Sequence, residues 1–306
     1  MAALSARALG LCVAEARPLV LAVSALRYLT GVALALPAAT AAASFPQVAQ
    51  GAAAWVLSIF AIYLFNGVTD VAEDQINGSG RPIARGDLDA RLAAVVAAGA
   101  GCLSLVATAG LPGQMPWIIA GNLVLGYLYS GPPLPLKDTS GGTVAVLCLS
   151  GLLSYLAGFT VATAGGGVAA PTALVLFAGV AIGWMVFVGV PAKDLSDIEG
   201  DTAAGRRTLG VLIGERMSRQ VMVGAAVVLL VAFALAVALA RAPLGGVVAA
   251  LAAGVVAVAA AGLPAARGPE AGAGGGDGGR RRARRPYGAF MGTQHLLHLT
   301  AFLSWI

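Results

Sequence analysis

Apolar runs recur along this chain at a length matched to a lipid bilayer. They fall near 18–40, 50–69, 91–111, 115–130, 142–164, 171–192, 220–240, 244–264 and 288–306. About 20 such residues form a helix that crosses the hydrocarbon core, where the backbone must satisfy its own hydrogen bonds. The runs are too long for barrel strands and show no alternation. They predict an all-α, polytopic membrane bundle of about nine transmembrane helices, the fourth and ninth short, in a single domain spanning 1–306. A charged fraction of 11% agrees, because water-exposed domains run near 25%.

The charges fix an orientation. With segment 1–17 in the cytoplasm, 70–91, 131–141, 193–219 and 265–287 are cytoplasmic as well. These segments hold all 14 acidic residues and every Lys and Arg except Arg27, inside a span, and Arg241, in an outside loop. The positive-inside rule then gives an integral membrane protein, placed here in the plasma membrane, with its carboxylates facing the cytoplasm. A net charge of +5 does not imply nucleic acid, since the basic residues sit in short loops between spans. The Gly- then Arg-rich stretch 265–287 reads as a flexible cytoplasmic linker with a basic anchor for anionic lipid heads. Cys12, Cys102 and Cys148 form no CxxC pair and read as small hydrophobes. The first apolar run faintly resembles a signal peptide, but Arg27 inside it and the spans beyond favour a retained helix.

Two acidic motifs carry the chemistry. Asn66, Asp70 and Asp74 stand at i, i+4 and i+8, and Asp194, Asp197 and Asp201 at i, i+3 and i+7. Each set lies on one helix face, at the cytoplasmic end of a span. A single acidic cluster at a helix end is usually a solvated cap. Two rows on one side of a bilayer repel each other beside a low dielectric and need cations. Carboxylate oxygens in a partly hydrated site suit Mg²⁺, which substrate phosphate oxygens often complete. Neither motif has EF-hand spacing. Arg81, Arg85, Lys137, Lys193, Arg206 and Arg207 can meet a polyanion. The pattern points to a diphosphate head bound through metal, with an apolar tail in the bilayer.

These residues resemble the UbiA superfamily of intramembrane prenyltransferases. Its first motif appears as Asn66, Asp70, Asp74, Asn77, Arg81-Pro82 and Gly86, and its second as Lys193, Asp194, Asp197, Gly200 and Asp201. Arg206-Arg207-Thr208-Leu209 with Gly214, the segment Tyr129–Lys137 and Arg17-Pro18 are also family-like, so the resemblance covers 17–306. Some members place a Tyr and a Lys four apart in the loop after the fourth helix, whereas Tyr129 and Lys137 are eight apart.

The resemblance implies a nine-helix bundle open laterally to lipid, with Mg²⁺ held by Asn66, Asp70, Asp74, Asp194, Asp197 and Asp201. It implies transfer of a prenyl group from an allylic prenyl diphosphate donor to an aromatic or quinone-precursor acceptor. Asp70, Asp74, Asp194, Asp197 and Lys137 are then the catalytic candidates. Asn66, Lys193, Arg81 and Tyr129 are candidates for holding substrate. An allylic cation needs a water-poor wall of π-faces. Tyr63, three before Asn66, and Phe187, seven before Asp194, share faces with the motifs, although lone aromatics in spans are more often packing. Arg27 lies about 15 Å beyond Arg17 at helical rise; it either orients an acidic or phenolic acceptor or pairs with a buried carbonyl. His295 and His298 read as buried hydrogen-bonders. A terpene cyclase on the same scaffold is the enzymatic alternative. A transporter, the non-enzymatic one, would place its polar residues near the midplane.

Overall fold

The computed structural model describes residues 5–39, 43–76, 78–263 and 277–304, with side chains from 283 onward in the last segment. Local chemistry sets the helix starts. The Ser5 hydroxyl accepts from Ala8 N at 3.2 Å and opens α1 (Ala6–Glu15). Arg17 then adopts the left-handed conformation (φ 60°, ψ 85°) and turns the chain into α2 (Pro18–Ala35). Pro18 sits in the first turn, where its missing N–H costs nothing. Ser44 N donates to Gln47 Oε1 at 3.0 Å at the start of α3 (Phe45–Thr69). After the short α4 (Val71–Ile76), Asp89 caps α5 (Ala90–Val106) by accepting from Leu92 N at 2.8 Å. Then follow α6 (Met115–Ser130) and α7 (Ser140–Ala162), the latter capped by Thr139, which accepts from Gly142 N. The chain continues through α8 (Thr172–Trp184), one π-helical turn (Met185–Gly189) and α9 (Val190–Ala203). It ends with α10 (Leu209–Ala240), α11 (Gly245–Gly262) and α12 (Asp277–Leu303).

Among the described residues there is no β-strand, only one isolated bridge between Thr139 and Arg207. Six helical segments among the described residues are long and apolar enough to cross a membrane: Pro18–Ala38, Phe45–Thr69, Ser140–Ala162, Thr172–Ala203, Leu209–Ala240 and Gly245–Gly262. The protein is therefore a polytopic helical membrane protein. The other three expected spans fall on α5 and α6, of 17 and 16 residues, and on α12. The expected linker 265–287 is cut short, because α12 begins at Asp277. After Gly278 and Gly279 its run 280–285, five Arg and one Ala, is built of strong helix formers. Residues 264–276 lie outside the described residues.

Close approach organises the bundle. A side-chain carbon on Gly31 would run into the backbone of Tyr155, and one on Gly158 into the backbone of Tyr28 and Val32. This reciprocal small-residue crossing lets α2 lie against α7 at backbone distance. Around it, Tyr28, Trp55, Tyr155, Phe177 and Trp184 fill the main core, which draws in α8 and α10–α12. A second cluster packs Cys12 of α1 and Ala16 just beyond its end against Phe60, Leu64, Ile83 and Leu88. A polar ladder crosses the interior: Asn122 Nδ2 donates to Ser58 Oγ at 3.0 Å, and Ser150 Oγ donates to Asn122 Oδ1 at 2.7 Å. Large apolar side chains such as Trp117 and Leu239 point outward, as a lipid-facing surface requires.

Candidate active site

Both motifs converge on one cavity of about 190 Å³. The first is delivered by a break in helix geometry. Asp70 (φ −96°, ψ 8°) ends α3 and α4 resumes at Val71, yet Asp70 N still donates to Asn66 O and Asp74 N to Asp70 O. Asn66, Asp70 and Asp74 consequently all line the cavity. The Asn66 amide is held at both ends: Nδ2 donates to Asp70 Oδ2 at 2.6 Å, and Oδ1 accepts from Ser130 Oγ at 2.7 Å. The second motif lies on α9, where Lys193, Asp194, Asp197 and Asp201 also line the cavity.

Cations hold these carboxylates apart. Lys137, buried, pairs with Asp70. Lys193 pairs with Asp197 at 2.7 Å, and Ser196 Oγ donates to the other Asp197 oxygen. Arg206 is the hub, reaching Glu73 at 2.8 Å, Asp201 at 3.1 Å, Asp138 at 3.3 Å and Asp70 at 3.5 Å. Thr208 Oγ1 donates to Asp201 at 3.0 Å. Asp194, 5% exposed, has no ion pair among the described residues.

The fields are strong. Burial alone would raise the Asp70 pKa, but Lys137, Arg206 and Lys193 outweigh it and hold the carboxyl below its ordinary value. Glu73 goes the other way: burial and the Asp70 charge exceed the help of Arg206 and push it up. Burial opposes the Arg206 charge, and the facing Glu73, Asp70 and Asp201 more than restore it.

The donor set suits a hard cation. The cavity wall contributes carboxylates, one amide and hydroxyls, with no His or Cys among its lining residues. Glu73 Oε2 is buried there without a hydrogen-bond partner among the described residues, an orphaned oxygen that an ion would satisfy. No three His, Cys, Asp or Glu side chains among the described residues are already gathered to chelate, because Lys137, Lys193 and Arg206 occupy their oxygens.

Of the other expected site residues, Tyr63, Tyr129 and Arg27 line the cavity. The Arg27 guanidinium meets Met185 Sδ at 3.1 Å and has no ion pair among the described residues. Two expectations need correction. Phe187 is 54% exposed and does not line the cavity. The π turn Met185–Gly189 inserts an extra residue, so seven positions before Asp194 is no longer the same face; Met185, Gly189 and Val190 face inward instead. Arg81 also lies outside the cavity, packed behind Asp74. His295 and His298 hydrogen-bond the carbonyls of Met291 and Gln294, and His298 also meets the Tyr155 hydroxyl at 2.7 Å.

Four lining residues are not singled out as site residues by the sequence, namely Arg17, Glu73, Tyr287 and Phe290, and Arg206, expected there only as one of several basic residues facing a polyanion, proves to be the hub. Glu73 stands three after Asp70, so helical spacing could have found it. Arg17 was marked only as part of a family-like pair, and its left-handed backbone is visible only in the structure. Tyr287 and Phe290 carry no charge signal. Their rings, 5.7 Å apart, reach the site because α12 packs against α2 and α9.

Comparison with known proteins agrees with this geometry. The model of the UbiA prenyltransferase family matches residues 26–273. Digeranylgeranylglyceryl phosphate synthase of Natronomonas pharaonis is 37% identical over 186 residues, which cover 60% of this chain and 64% of that protein. That match therefore spans under two thirds of the relative's length. Among solved structures, a UbiA homologue from Archaeoglobus fulgidus bound to GPP and Mg²⁺ superposes with a TM-score of 0.67 at 19% identity, covering 96% of this chain and 99% of that one. The apo UbiA homologue from Aeropyrum pernix K1 gives a TM-score of 0.64 at 14% identity, covering 93% and 98%. At such identities these structures attest the fold alone. With its family model matched across most of its length, this chain belongs to the UbiA prenyltransferase family.

Proposed function

We propose that this protein is an intramembrane prenyltransferase that moves a prenyl group from an allylic diphosphate to an aromatic or quinone-precursor acceptor, with Mg²⁺. One observation carries the reading: the cavity is ionic at its motif end and walled elsewhere by Val20, Val23, Ile59, Ile62, Val146 and Leu147. That polarity matches a diphosphate head with an apolar tail. Asn66, Asp70, Asp74, Asp194, Asp197 and Asp201, with Glu73, would hold the metal. When bound, Mg²⁺ neutralises charge on the departing diphosphate. Lys137, Lys193, Arg206 and Arg17 place positive charge at the same end. Tyr63, Tyr129, Tyr287 and Phe290 offer π-faces to an allylic cation and exclude water.

Arg27, a cation without an ion pair among the described residues, suits an acceptor with an acidic group. The Natronomonas relative is named for a glyceryl phosphate product, so a phosphate-bearing acceptor is the second reading of this contact. A cyclase on the same scaffold needs no acceptor. We further read α5, α6 and α12 as crossing the plasma membrane with the six segments above. This makes nine spans, with the N-terminus and both motifs cytoplasmic, as cysteine labelling from each side would test.

The direct test incubates purified protein, Mg²⁺ and a panel of prenyl diphosphates with aromatic acids, phenols and glyceryl phosphates, with products read by mass spectrometry. Prenylated acceptor is the expected result. An allylic product from diphosphate alone would favour the cyclase, and no consumption of any allylic diphosphate would refute the reading.

A further inference from the structure

The ion pair behind Asp74 involves a residue that the motifs do not contain. Arg81, 6% exposed, hydrogen-bonds through both terminal nitrogens, while its Nε meets Glu15 by charge contact without hydrogen-bond geometry. Its Nε lies 2.6 Å from Glu15 Oε1, NH1 donates to Asp74 Oδ2 at 2.8 Å, and NH2 donates to the carbonyls of Glu15 and Tyr63 at 3.2 and 3.3 Å. Glu15, the last residue of α1, is fully buried, and its other oxygen accepts from Ile83 N at 2.9 Å. Neither Glu15 nor Arg81 lines the cavity, whereas Asp74 does. The helix next to them is bare at the matching point: a side-chain carbon on Gly67 would strike both the Glu15 carboxylate and the Arg81 guanidinium. Gly67 follows Asn66 directly, so the first motif itself leaves room for this buried pair.

The charge arithmetic gives the arrangement a purpose. Arg81 and Asp74 alone would make a neutral pair, and a guanidinium free of other partners prefers to grip a carboxylate through both oxygens. The two backbone carbonyls take NH2, so Asp74 is contacted through NH1 alone, while the Glu15 carboxylate lies against Nε and offsets the guanidinium charge. With Glu15 the triad carries a net −1, so the cluster presents a negative field to the cavity while the position of Asp74 is fixed.

We propose that Glu15 is a positioning residue for the diphosphate site: it anchors and offsets Arg81, so that Asp74 is oriented without losing the cluster's net negative field for a divalent cation. This rests on the reading of the cavity as a Mg²⁺–diphosphate site. The mechanism predicts a particular sign. In Glu15→Gln the amide still accepts from Ile83 N, but Arg81 turns its whole charge on Asp74 and competes with the metal. The Mg²⁺ needed for diphosphate binding therefore rises, by about tenfold for the loss of one nearby charge in a partly screened site.

The test measures binding of geranyl diphosphate to the purified full chain by calorimetry across a Mg²⁺ titration, with thermal midpoints alongside. Glu15→Gln, Glu15→Asp, Asp74→Asn and the double variant Glu15→Gln/Asp74→Asn are compared. Expected are a roughly tenfold higher half-saturating Mg²⁺ in Glu15→Gln, partial recovery in Glu15→Asp, and a double variant no worse than Asp74→Asn alone, since the effect passes through Asp74. Should Glu15→Gln not fold, Gly67→Ala, which pushes on the same pair from α3, is expected to shift the Mg²⁺ requirement likewise. An unchanged Mg²⁺ requirement in a folded variant, or losses that multiply in the double variant, would overturn the proposal. Wild-type protein that binds no geranyl diphosphate at any Mg²⁺ concentration would instead sink the reading of the cavity itself.

Discussion

Replacing Arg27 with Met removes a cation that lies in α2 about 15 Å beyond the helix start, at 1.5 Å per residue. A bilayer core is about 30 Å thick, so this is near its middle, where an arginine costs on the order of 3 kcal/mol. Among the described residues the guanidinium hydrogen-bonds the Met185 sulfur, at 3.1 Å, and a thioether is a weak acceptor. Arg27 thus has no ion-pair partner among the described residues, a place that an acidic acceptor would fill. Truncating one member of such a desolvated pair costs about 2–4 kcal/mol, which is roughly a 30- to 700-fold loss of kcat/KM for the acceptor. Prenyl diphosphate affinity should barely change, because the proposed diphosphate contacts, Lys137, Lys193 and Arg206, lie at the other end of the cavity. Thermal stability should stay level or rise, since Met packs where the charge was stranded. Steady-state kinetics with both substrates varied, paired with melting in detergent, tests the pair of signs. A variant that melts lower and shows equal kinetics for charged and uncharged acceptors would refute the reasoning and make Arg27 a structural residue.

The carboxylates should separate by partner. Asp70→Asn and Asp194→Asn should each lower turnover by at least about 100-fold. Only Asp70→Asn should also lower the thermal midpoint, because it strands buried Lys137; equal melting losses in both would contradict the assignment. Phe187→Leu should leave turnover within about twofold, as its ring points outward, whereas Phe290→Leu should lower product yield roughly tenfold and raise hydrolysis of the donor. Gly158→Val should destabilise the bundle by about 3 kcal/mol, read as a lower midpoint, because its methyls would enter the backbone of α2.

The local patterns that carried most of this protein were those set by residue type and period. Apolar runs of bilayer length made a helical membrane bundle unavoidable, since no other open structure satisfies its backbone in lipid. Asn66, Asp70 and Asp74, like Asp194, Asp197 and Asp201, announced their shared faces through helical spacing, and the structure puts both rows at one cavity. Spacing failed where helix geometry changed. One π turn before α9 rotated Phe187 to the outside and brought Met185 and Gly189 to the cavity. It failed again where partners come from far along the chain. Nothing near Arg81 in sequence indicates that Glu15 will bury it, and nothing in α12 indicates that Tyr287 and Phe290 will close the cavity wall. Hydrophobic and charge periodicity are properties of single helices, so the sequence by itself determined which faces exist. Which faces meet depends on close approach, as at Gly31 and Gly158, and on buried ion pairs whose members are distant in the chain; only the tertiary structure decided those.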